Sequence, residues 1–211
     1  MVSLDLVDSS VKTPALSYRQ SQAESTRVRI AEAAQRLFAR DGYAATSMSA
    51  IAHSAGVGNR TVYAAFGAKR EILNLICEIW LERAGARSLA REILADPDPL
   101  QRLRGAARWL TTLYATDFDV VRILDSAMDE DAETREVLRA KLRGRNRVMD
   151  ALIASVEKDL SMSLADAQAI FRAYAAAGVY GELVMDSGWS AERFERWLAD
   201  TLVAQLFASE R

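Results

Sequence analysis

Apolar residues recur three and four positions apart along most of this chain, a spacing that places them on one face of an α-helix. From residue 27 onward, Ile30, Ala34, Leu37 and Phe38 share such a face, and Asp41-Gly42 marks its end. Similar stripes recur to the end of the sequence. The pattern predicts an all-α fold.

Turn residues divide the pattern into about nine helices. These are expected to begin near residues 27, 47, 59, 69, 99, 118, 131, 163 and 190. Gly56 and Gly67 end the second and third helices, and Ser163 with Asp166 forms a capping box. The two predicted at 131–159 and 163–186 are long, and the last runs to about residue 208.

Composition supports a globular helical protein. The 211 residues include only three prolines and ten glycines, and half are hydrophobic. The net charge is −2, but residues 1–72 hold nine Lys/Arg against six Asp/Glu, while the rest of the chain holds eighteen against twenty-three. A basic head on an acidic body suits an anionic partner at the head.

Several classes of function find no support in the residues. One cysteine, Cys77, and one histidine, His53, leave no disulfide and no cluster for a metal, and no pair of side chains suggests catalysis. We expect no cofactor and no enzymatic activity. The acidic N-terminus and the lack of a long apolar run predict a cytoplasmic protein without a membrane segment.

Two short helices separated by Gly56 predict a helix-turn-helix, because a chain that turns sharply between helices needs a left-handed residue. The third helix then faces outward with short or hydrogen-bonding side chains. It is slim enough to enter a DNA major groove about 12 Å wide. These side chains are predicted to contact DNA: Asn59, Arg60, Thr61 and Tyr63.

Three phosphate anchors are expected around that helix: the Tyr63 hydroxyl, the Lys69 ammonium, and the pair Thr46 and Ser47 at the start of the second helix. Some of the predicted DNA contacts have a plainer alternative. Tyr63 could only pack on its own helix, and Asn59 and Thr61 could contact water or phosphate rather than bases. His53 is expected to be a surface residue.

These residues resemble the TetR family of transcriptional regulators over residues 27–73, about a quarter of the chain. The resemblance rests on these motifs: Leu37-Phe38, Asp41-Gly42-Tyr43, Thr46-Ser47, Ile51-Ala52, Ala55-Gly56-Val57, Thr61-Val62-Tyr63, Phe66, and Lys69 with Leu73. It implies a dimer of nine-helix subunits whose C-terminal domain binds a small molecule and thereby weakens DNA binding. The expected division is a mobile arm at 1–22, a DNA-binding domain at 23–70, and a ligand-binding and dimerisation domain at 71–211.

Three positions depart from the family pattern. Gly58 replaces a common capping Ser or Thr, so Asn59 is expected either to cap the third helix or to contact a base. Ala65 stands where many members have a polar residue. Ala68 replaces a capping residue before Lys69, which is expected to fray the start of the fourth helix.

The body of the chain carries several large, soft side chains that either fill a core or surround a ligand. The predicted pocket residues are Trp109, Phe118, Met149, Phe171 and Tyr174. Few charges accompany them, which favours a mostly apolar effector.

A run of small residues at 173–183 and the apolar stripe of the last helix suggest a two-fold four-helix interface. The predicted interface residues are Tyr174, Gly178, Gly181, Phe194, Trp197, Leu198 and Leu202. The alternative is that both helices only cover the core of their own subunit.

The sequence therefore predicts a homodimeric repressor that binds a palindromic operator in double-stranded DNA and is released by a small-molecule effector. The alternative is a helical small-molecule carrier or enzyme without DNA binding. Repressor and activator are not distinguished by these residues, nor are the operator, the effector or the regulated genes.

Overall fold

A computed structural model describes residues 18–207, which form eleven α-helices. The first four are α1 (Tyr18–Asp41), α2 (Met48–Ser54), α3 (Asn59–Phe66) and α4 (Lys69–Arg83). The others are α5 (Ala86–Ala95), α6 (Pro99–Thr116), α7 (Phe118–Ser126), α8 (Ala132–Ala154), α9 (Leu164–Tyr174), α10 (Ala177–Tyr180) and α11 (Ala191–Leu206). No strand occurs in this part of the chain beyond one isolated bridge between Leu160 and Phe207. The predicted all-α fold is confirmed.

Helix α1 begins earlier than the sequence pattern predicted. Residues 18–22 were assigned to a mobile arm, but they form the start of this helix. No proline or glycine interrupts residues 18–26, and the Thr26 hydroxyl donates to the Gln22 carbonyl within the helix. The remaining arm, residues 1–17, lies outside the described residues, as does the predicted end of the last helix at 208.

The first three helices share a small core. The predicted face of α1 is buried, and Ile51, Val62 and Phe66 pack against it from α2 and α3. Gly56 has a φ of 65° in the turn between α2 and α3, which confirms the reason given for this glycine. The Val57 amide then donates to the Ala52 carbonyl at 3.0 Å and fixes the turn.

Helix α6 is central to the rest of the molecule. Leu103, Leu110, Leu113 and Tyr114 on α6 are fully buried, with α5 on one side and α11 along another. Gly105 lies where α5 and α6 cross. A Cβ built there would lie 2.6 Å from Cγ2 of Ile93, so only glycine fits.

The helix predicted at 163–186 is not continuous. Helix α9 ends at Tyr174, Ala176 is extended with ψ 134°, and the chain resumes as α10 followed by a π-helical segment, Gly181–Asp186. The hydroxyl of Tyr114 donates to the carbonyl of Ala175, at the break. Helix α8 also ends at Ala154, five residues before the predicted end, and a short 3-10 turn, Glu157–Asp159, follows.

Side-chain contacts join α1 and its loop to the body of the chain. Gln35 on α1 donates to the Asp117 carboxylate at 2.7 Å, and Arg83 on α4 pairs with Glu32 at 2.8 Å. The hydroxyl of Tyr43 lies 3.5 Å from that of Thr134, at the start of α8. Within residues 18–207 no helix is both long enough and apolar enough to span a membrane.

Candidate functional sites

Ser47 begins α2 as predicted. Its Oγ accepts a hydrogen bond from the Ala50 amide at 3.0 Å, and its side chain is exposed. A hydroxyl can accept and donate at once, so the Ser47 proton remains available to a phosphate oxygen. The free amides of the first turn of α2 point the same way.

Thr46 does not have the predicted role. Only 3% of it is exposed, and its hydroxyl donates to the Gly42 carbonyl at 2.8 Å. It closes the turn after α1 instead of presenting a donor to DNA. Sequence reasoning grouped Thr46 with Ser47 because both are good caps, but the inward turn of the chain at Tyr43 separates their environments.

Helix α3 presents a polar face on an apolar support. Val62 and Phe66 are buried, while Arg60 and Thr61 are exposed and Tyr63 is 55% exposed. Among the described residues, neither the Tyr63 hydroxyl nor the Arg60 guanidinium has a hydrogen bond or an ion pair. Two unpartnered donors therefore project from a short, firmly packed helix.

The start of α3 excludes one of the two roles expected of Asn59. Gly58 is the N-cap, extended at φ −72° and ψ 149°, so Asn59 does not cap the helix. The Asn59 amide instead donates weakly, at 3.4 Å, to the hydroxyl of Ser49 on α2. Asn59 is exposed, so its second amide proton and its carbonyl oxygen are still available.

Lys69 has a structural role besides its charge. Its ammonium donates to the carbonyls of Tyr43 at 2.8 Å and Ala44 at 3.2 Å, and lies 4.5 Å from the centre of the Tyr43 ring. These contacts hold the loop between α1 and α2 and leave one ammonium proton for a phosphate. They also fix the start of α4, which forms at Lys69 although Ala68 offers no cap.

Arg27 supports α3 from α1, a contact that sequence reasoning missed. Its guanidinium donates to the Ala65 carbonyl and lies 4.3 Å from the centre of the Phe66 ring. In the sequence, only the position of Arg27 at the start of the apolar helical pattern pointed to this contact.

The segment of the chain that contains α2 and α3 carries no acidic residue. No aspartate or glutamate occurs between Asp41 and Glu71, whereas Arg60, Lys69 and Arg70 lie in that interval. Like-charge repulsion would therefore not oppose a polyanion at this surface, and the three cations attract one. Arg70 is partly engaged, since it forms an ion pair with Glu133 at 2.6 Å.

The predicted pocket residues do not surround a described cavity. Trp109, Met149 and Phe171 are fully packed in the core, and Trp109 donates to the Ala86 carbonyl. Phe118 and Tyr174 are partly buried beside other rings. None of the five lines either of two surface clefts, so their assignment to an effector pocket stays a prediction.

The larger cleft, about 650 Å³, lies between α5, α6 and α11. Its walls are charged, and two of its three arginines are paired: Arg108 with Glu92 at 2.8 Å and Arg104 with Asp200 at 3.8 Å. The smaller, about 360 Å³, lies at the junction of α1 with Asp117 and Asp119. Neither is the apolar site that the sequence suggested.

The predicted dimer residues divide into two groups. Phe194, Leu198 and Leu202 are fully buried in the core of their own chain against α6, so these three were wrongly assigned. Helical spacing alone could not separate the inward from the outward side of α11. The other four remain at the surface in part: Tyr174, Gly178, Gly181 and Trp197.

We call the surface formed by these four residues with Met185 and Trp189 the α10–α11 face. The rings of Tyr174 and Trp189 both contact that of Trp197, at 5.9 and 6.1 Å, Met185 is 55% exposed, and the Arg193 guanidinium lies over the Trp189 ring. Gly178 has open space where a Cβ would be.

Comparison with known proteins identifies the domain. Residues 30–76 match the family profile described as "Bacterial regulatory proteins, tetR family". The chain is 26% identical over 148 residues to the HTH-type transcriptional regulator TtgR of Pseudomonas putida, covering 70% of this chain and 68% of that one.

Residues 30–76 belong to the TetR family of bacterial regulatory proteins. Solved structures under 25% identical share the fold of most of the chain. A putative transcriptional regulator from Saccharomonospora viridis in complex with choline superimposes with a TM-score of 0.70 at 20% identity, covering 88% of this chain and 100% of that one. FadR from Bacillus subtilis in complex with stearoyl-CoA gives 0.68 at 19%, covering 84% and 97%. The chain thus combines an N-terminal helix-turn-helix with a C-terminal helical domain.

Proposed function

We propose that this TetR-family regulator is a homodimer that represses transcription from a palindromic operator in the cytoplasm and is released by a small-molecule effector. The observation that carries the DNA-binding part is the outward face of α3, where Arg60 and Tyr63 have no partner among the described residues. The buried side of α3 and the absence of acidic residues between Asp41 and Glu71 make this face suitable for a major groove.

Ser47 and Lys69 supply the flanking phosphate contacts, and Asn59 and Thr61 are the remaining base-contact candidates. Residues 23–70 would form the DNA-binding domain and residues 71–211 the effector and dimer domain. Helix α4 crosses that boundary, so movement of the body is transmitted directly to Lys69.

A two-fold dimer is supported by the α10–α11 face, which leaves apolar rings partly exposed in one chain. Such symmetry would present two α3 helices to half-sites about one helical turn apart, roughly 34 Å. An effector that favours a dimer with a different distance between its two α3 helices lowers the affinity for DNA. By linkage, DNA lowers the affinity for the effector by the same factor.

The chemistry of the effector does not follow from the fold. Structures similar to this one are complexes with choline and with stearoyl-CoA, which are a small cation and a large anion. Effector chemistry therefore depends on the side chains of this particular chain.

The test is a salt titration of binding to a duplex of about 30 bp, selected from genomic fragments by the purified protein. We expect the logarithm of affinity to fall steeply and linearly with the logarithm of salt concentration. Arg60→Gln should reduce the slope by about one per subunit, and Tyr63→Phe should weaken binding about tenfold.

The matched control is Arg147→Gln, which removes the same charge from an exposed position on α8. It should leave both slope and affinity unchanged. The proposal fails if the wild-type protein shows no salt-dependent duplex binding, or if Arg147→Gln reduces the slope as much as Arg60→Gln does.

A further inference from the structure

Within residues 18–207, three arginines have a buried Nε without a hydrogen-bond partner: Arg102, Arg108 and Arg145. Two of them are otherwise well satisfied. Arg102 donates to the carbonyls of Asp96, Pro97 and Ser155, and Arg108 has its carboxylate partner on α5. Both guanidinium groups therefore hold elements of the fold together.

Arg145 differs from the other two. Its Nη1 donates to the Tyr114 hydroxyl at 3.2 Å, and its Nη2 has only a marginal contact, 3.5 Å, with the side chain of the adjacent Asn146. Among the described residues, Arg145 has no ion pair within 4.0 Å and no backbone carbonyl acceptor. Arg145, a partly buried cation in the middle of α8, therefore has no carboxylate in direct contact, and Asp125 influences only the Tyr114 hydroxyl that it shares with Arg145.

The partner of Arg145 lies in the interior. Tyr114 on α6 is fully buried, and its hydroxyl donates onward to Ala175 at the break after α9. Its ring contacts those of Phe118 and Tyr180, with centroids 5.8 and 5.3 Å apart. Tyr114 therefore joins Arg145, through its hydroxyl, to an aromatic cluster formed by its own ring with those of Phe118 and Tyr180.

An uncompensated buried charge is costly, and removing water from it without a partner destabilises the fold. The edge of Arg145 that lacks a close partner has a specific shape. Nε and Nη2 point the same way and form the two-pronged donor that matches a carboxylate with two parallel hydrogen bonds. Nη1 lies outside this edge and donates to the Tyr114 hydroxyl.

We propose that Arg145 is the anchor for an effector carrying a carboxylate on an apolar body, bound between α6, α8 and the α9–α10 break. This rests on the proposed function, from which it takes the existence of an effector, and it replaces the mostly apolar ligand expected from sequence. The carboxylate pairs with the Nε–Nη2 edge, and the apolar body lies against Phe118 and Tyr180.

The location also explains how such an effector acts. The Nε is closed to solvent in this structure, so the anion enters as α8 and the α9–α10 break move apart. Tyr114 ties Arg145 to that break, and the break leads into the π-helical segment and the α10–α11 face. A ligand that draws Arg145 away from Tyr114 thus acts on the predicted dimer surface.

The experiment measures the melting temperature of the full-length protein with six carboxylates: hexanoate, octanoate, decanoate, benzoate, 4-phenylbutyrate and 2-naphthoate. Each is compared with its own primary amide, which keeps the body and removes the charge. At least one acid should raise the melting temperature by about 4 °C or more at saturation while its amide does not.

Two variants separate an anchor from a structural residue. Arg145→Met keeps the length of the side chain and should abolish the acid-induced shift, while the ligand-free variant melts within about 4 °C of the wild type. Arg147→Gln, two residues away on the exposed side of α8, should retain the whole shift.

The inference is overturned if none of the six acids stabilises the wild type, if amides stabilise as well as acids, or if Arg145→Met keeps the shift. It is also overturned if Arg145→Met lowers the ligand-free melting temperature by more than about 4 °C, since that outcome means a structural role. DNA binding is measured separately on the ligand-free wild type. If the protein does not bind DNA but an acid still raises its melting temperature, the repressor function is rejected and the proposed carboxylate site is retained.

Discussion

Two adjacent hydroxyls, those of Thr46 and Ser47, illustrate what a single residue contributes at the DNA surface. Both were expected to contact phosphate, yet one is buried against Gly42 and the other caps α2 at the surface. The difference gives a direct comparison between a residue that supports the surface and one that belongs to it.

Thr46→Val and Ser47→Ala are both expected to lower the free energy of unfolding by about 1 kcal/mol, through a lost buried hydrogen bond and a lost cap respectively. Only Ser47→Ala should also weaken duplex binding, by about three- to tenfold. Chemical denaturation and fluorescence anisotropy measure the two effects. Equal loss of DNA affinity in Thr46→Val would contradict the structural assignment.

Cys77 is predicted to be chemically inert in the folded protein. Burial raises the pKa of its thiol from 9.0 to about 11, with Lys141 opposing and Glu78 adding to the shift. At pH 8 the thiolate fraction is then about a hundredfold lower than in the unfolded chain.

Reaction with a disulfide reagent at pH 8 should therefore be at least about a hundredfold slower in native buffer than in guanidinium chloride. The folded state holds the proton more tightly, so the stabilisation from the neutral thiol is complete below pH 9 and is lost as pH rises towards 11. Fast labelling of the native protein would refute this account.

The sequence predicted the buried side chains of the DNA-binding domain better than it predicted the hydrogen bonds of its polar side chains. The buried sides of α1, α2 and α3 follow from spacing, since an apolar side chain facing a small core has few alternatives. Thr46 and Lys69 could not be placed from sequence, because their roles depend on carbonyls that the loop between α1 and α2 brings near them.

At the scale of elements, the crossing of α5 and α6 depends on one glycine. Gly105→Ala would drive a Cβ into Ile93 and should lower the free energy of unfolding by about 1–3 kcal/mol. Gly144→Ala, in the middle of α8 with nothing nearer than 3.9 Å, should instead raise it by about 0.5–1 kcal/mol.

Denaturation of both variants and of Gly105→Ala combined with Ile93→Ala tests the cause. If the clash is responsible, the double variant loses less than the sum of the two single losses. Strict additivity would mean that the crossing tolerates a methyl group after all.

The break after α9 could not be predicted from local sequence. The run AYAAAGVYGEL has strong helix formers, and intrinsic propensity alone supports one helix from 163 to 186. The structure divides it after Tyr174, where the hydroxyl of Tyr114, sixty-one positions earlier, donates to the Ala175 carbonyl. Gly85 likewise divides a run that reads as one helix, with a φ of 59°.

At the scale of the whole molecule, the α10–α11 face is expected to hold two copies together. Met185→Glu places a charge on it and should weaken the dimer at least about tenfold, because that charge would lose water against an apolar partner. Sedimentation equilibrium or light scattering at several concentrations gives the dissociation constant.

Leu142→Glu is the matched control, since Leu142 is another exposed apolar side chain, 36% accessible, on α8 outside this face. It should leave the dimer intact. A monomeric wild type, or equal weakening by both variants, would place the interface elsewhere. Loss of the dimer by Met185→Glu should also lower operator affinity, because two half-sites are then bound independently.

The contacts of Arg27 with Ala65 and Phe66 bear on how such a regulator could be retargeted. They set the position and roll of α3 through its backbone and its buried ring, and involve none of the side chains that face outward. Asn59, Arg60 and Thr61 can therefore be replaced together while the Arg27 contacts that position α3 stay unchanged. The same chain could acquire a new operator, by natural divergence or by laboratory selection, without rebuilding its sensing half.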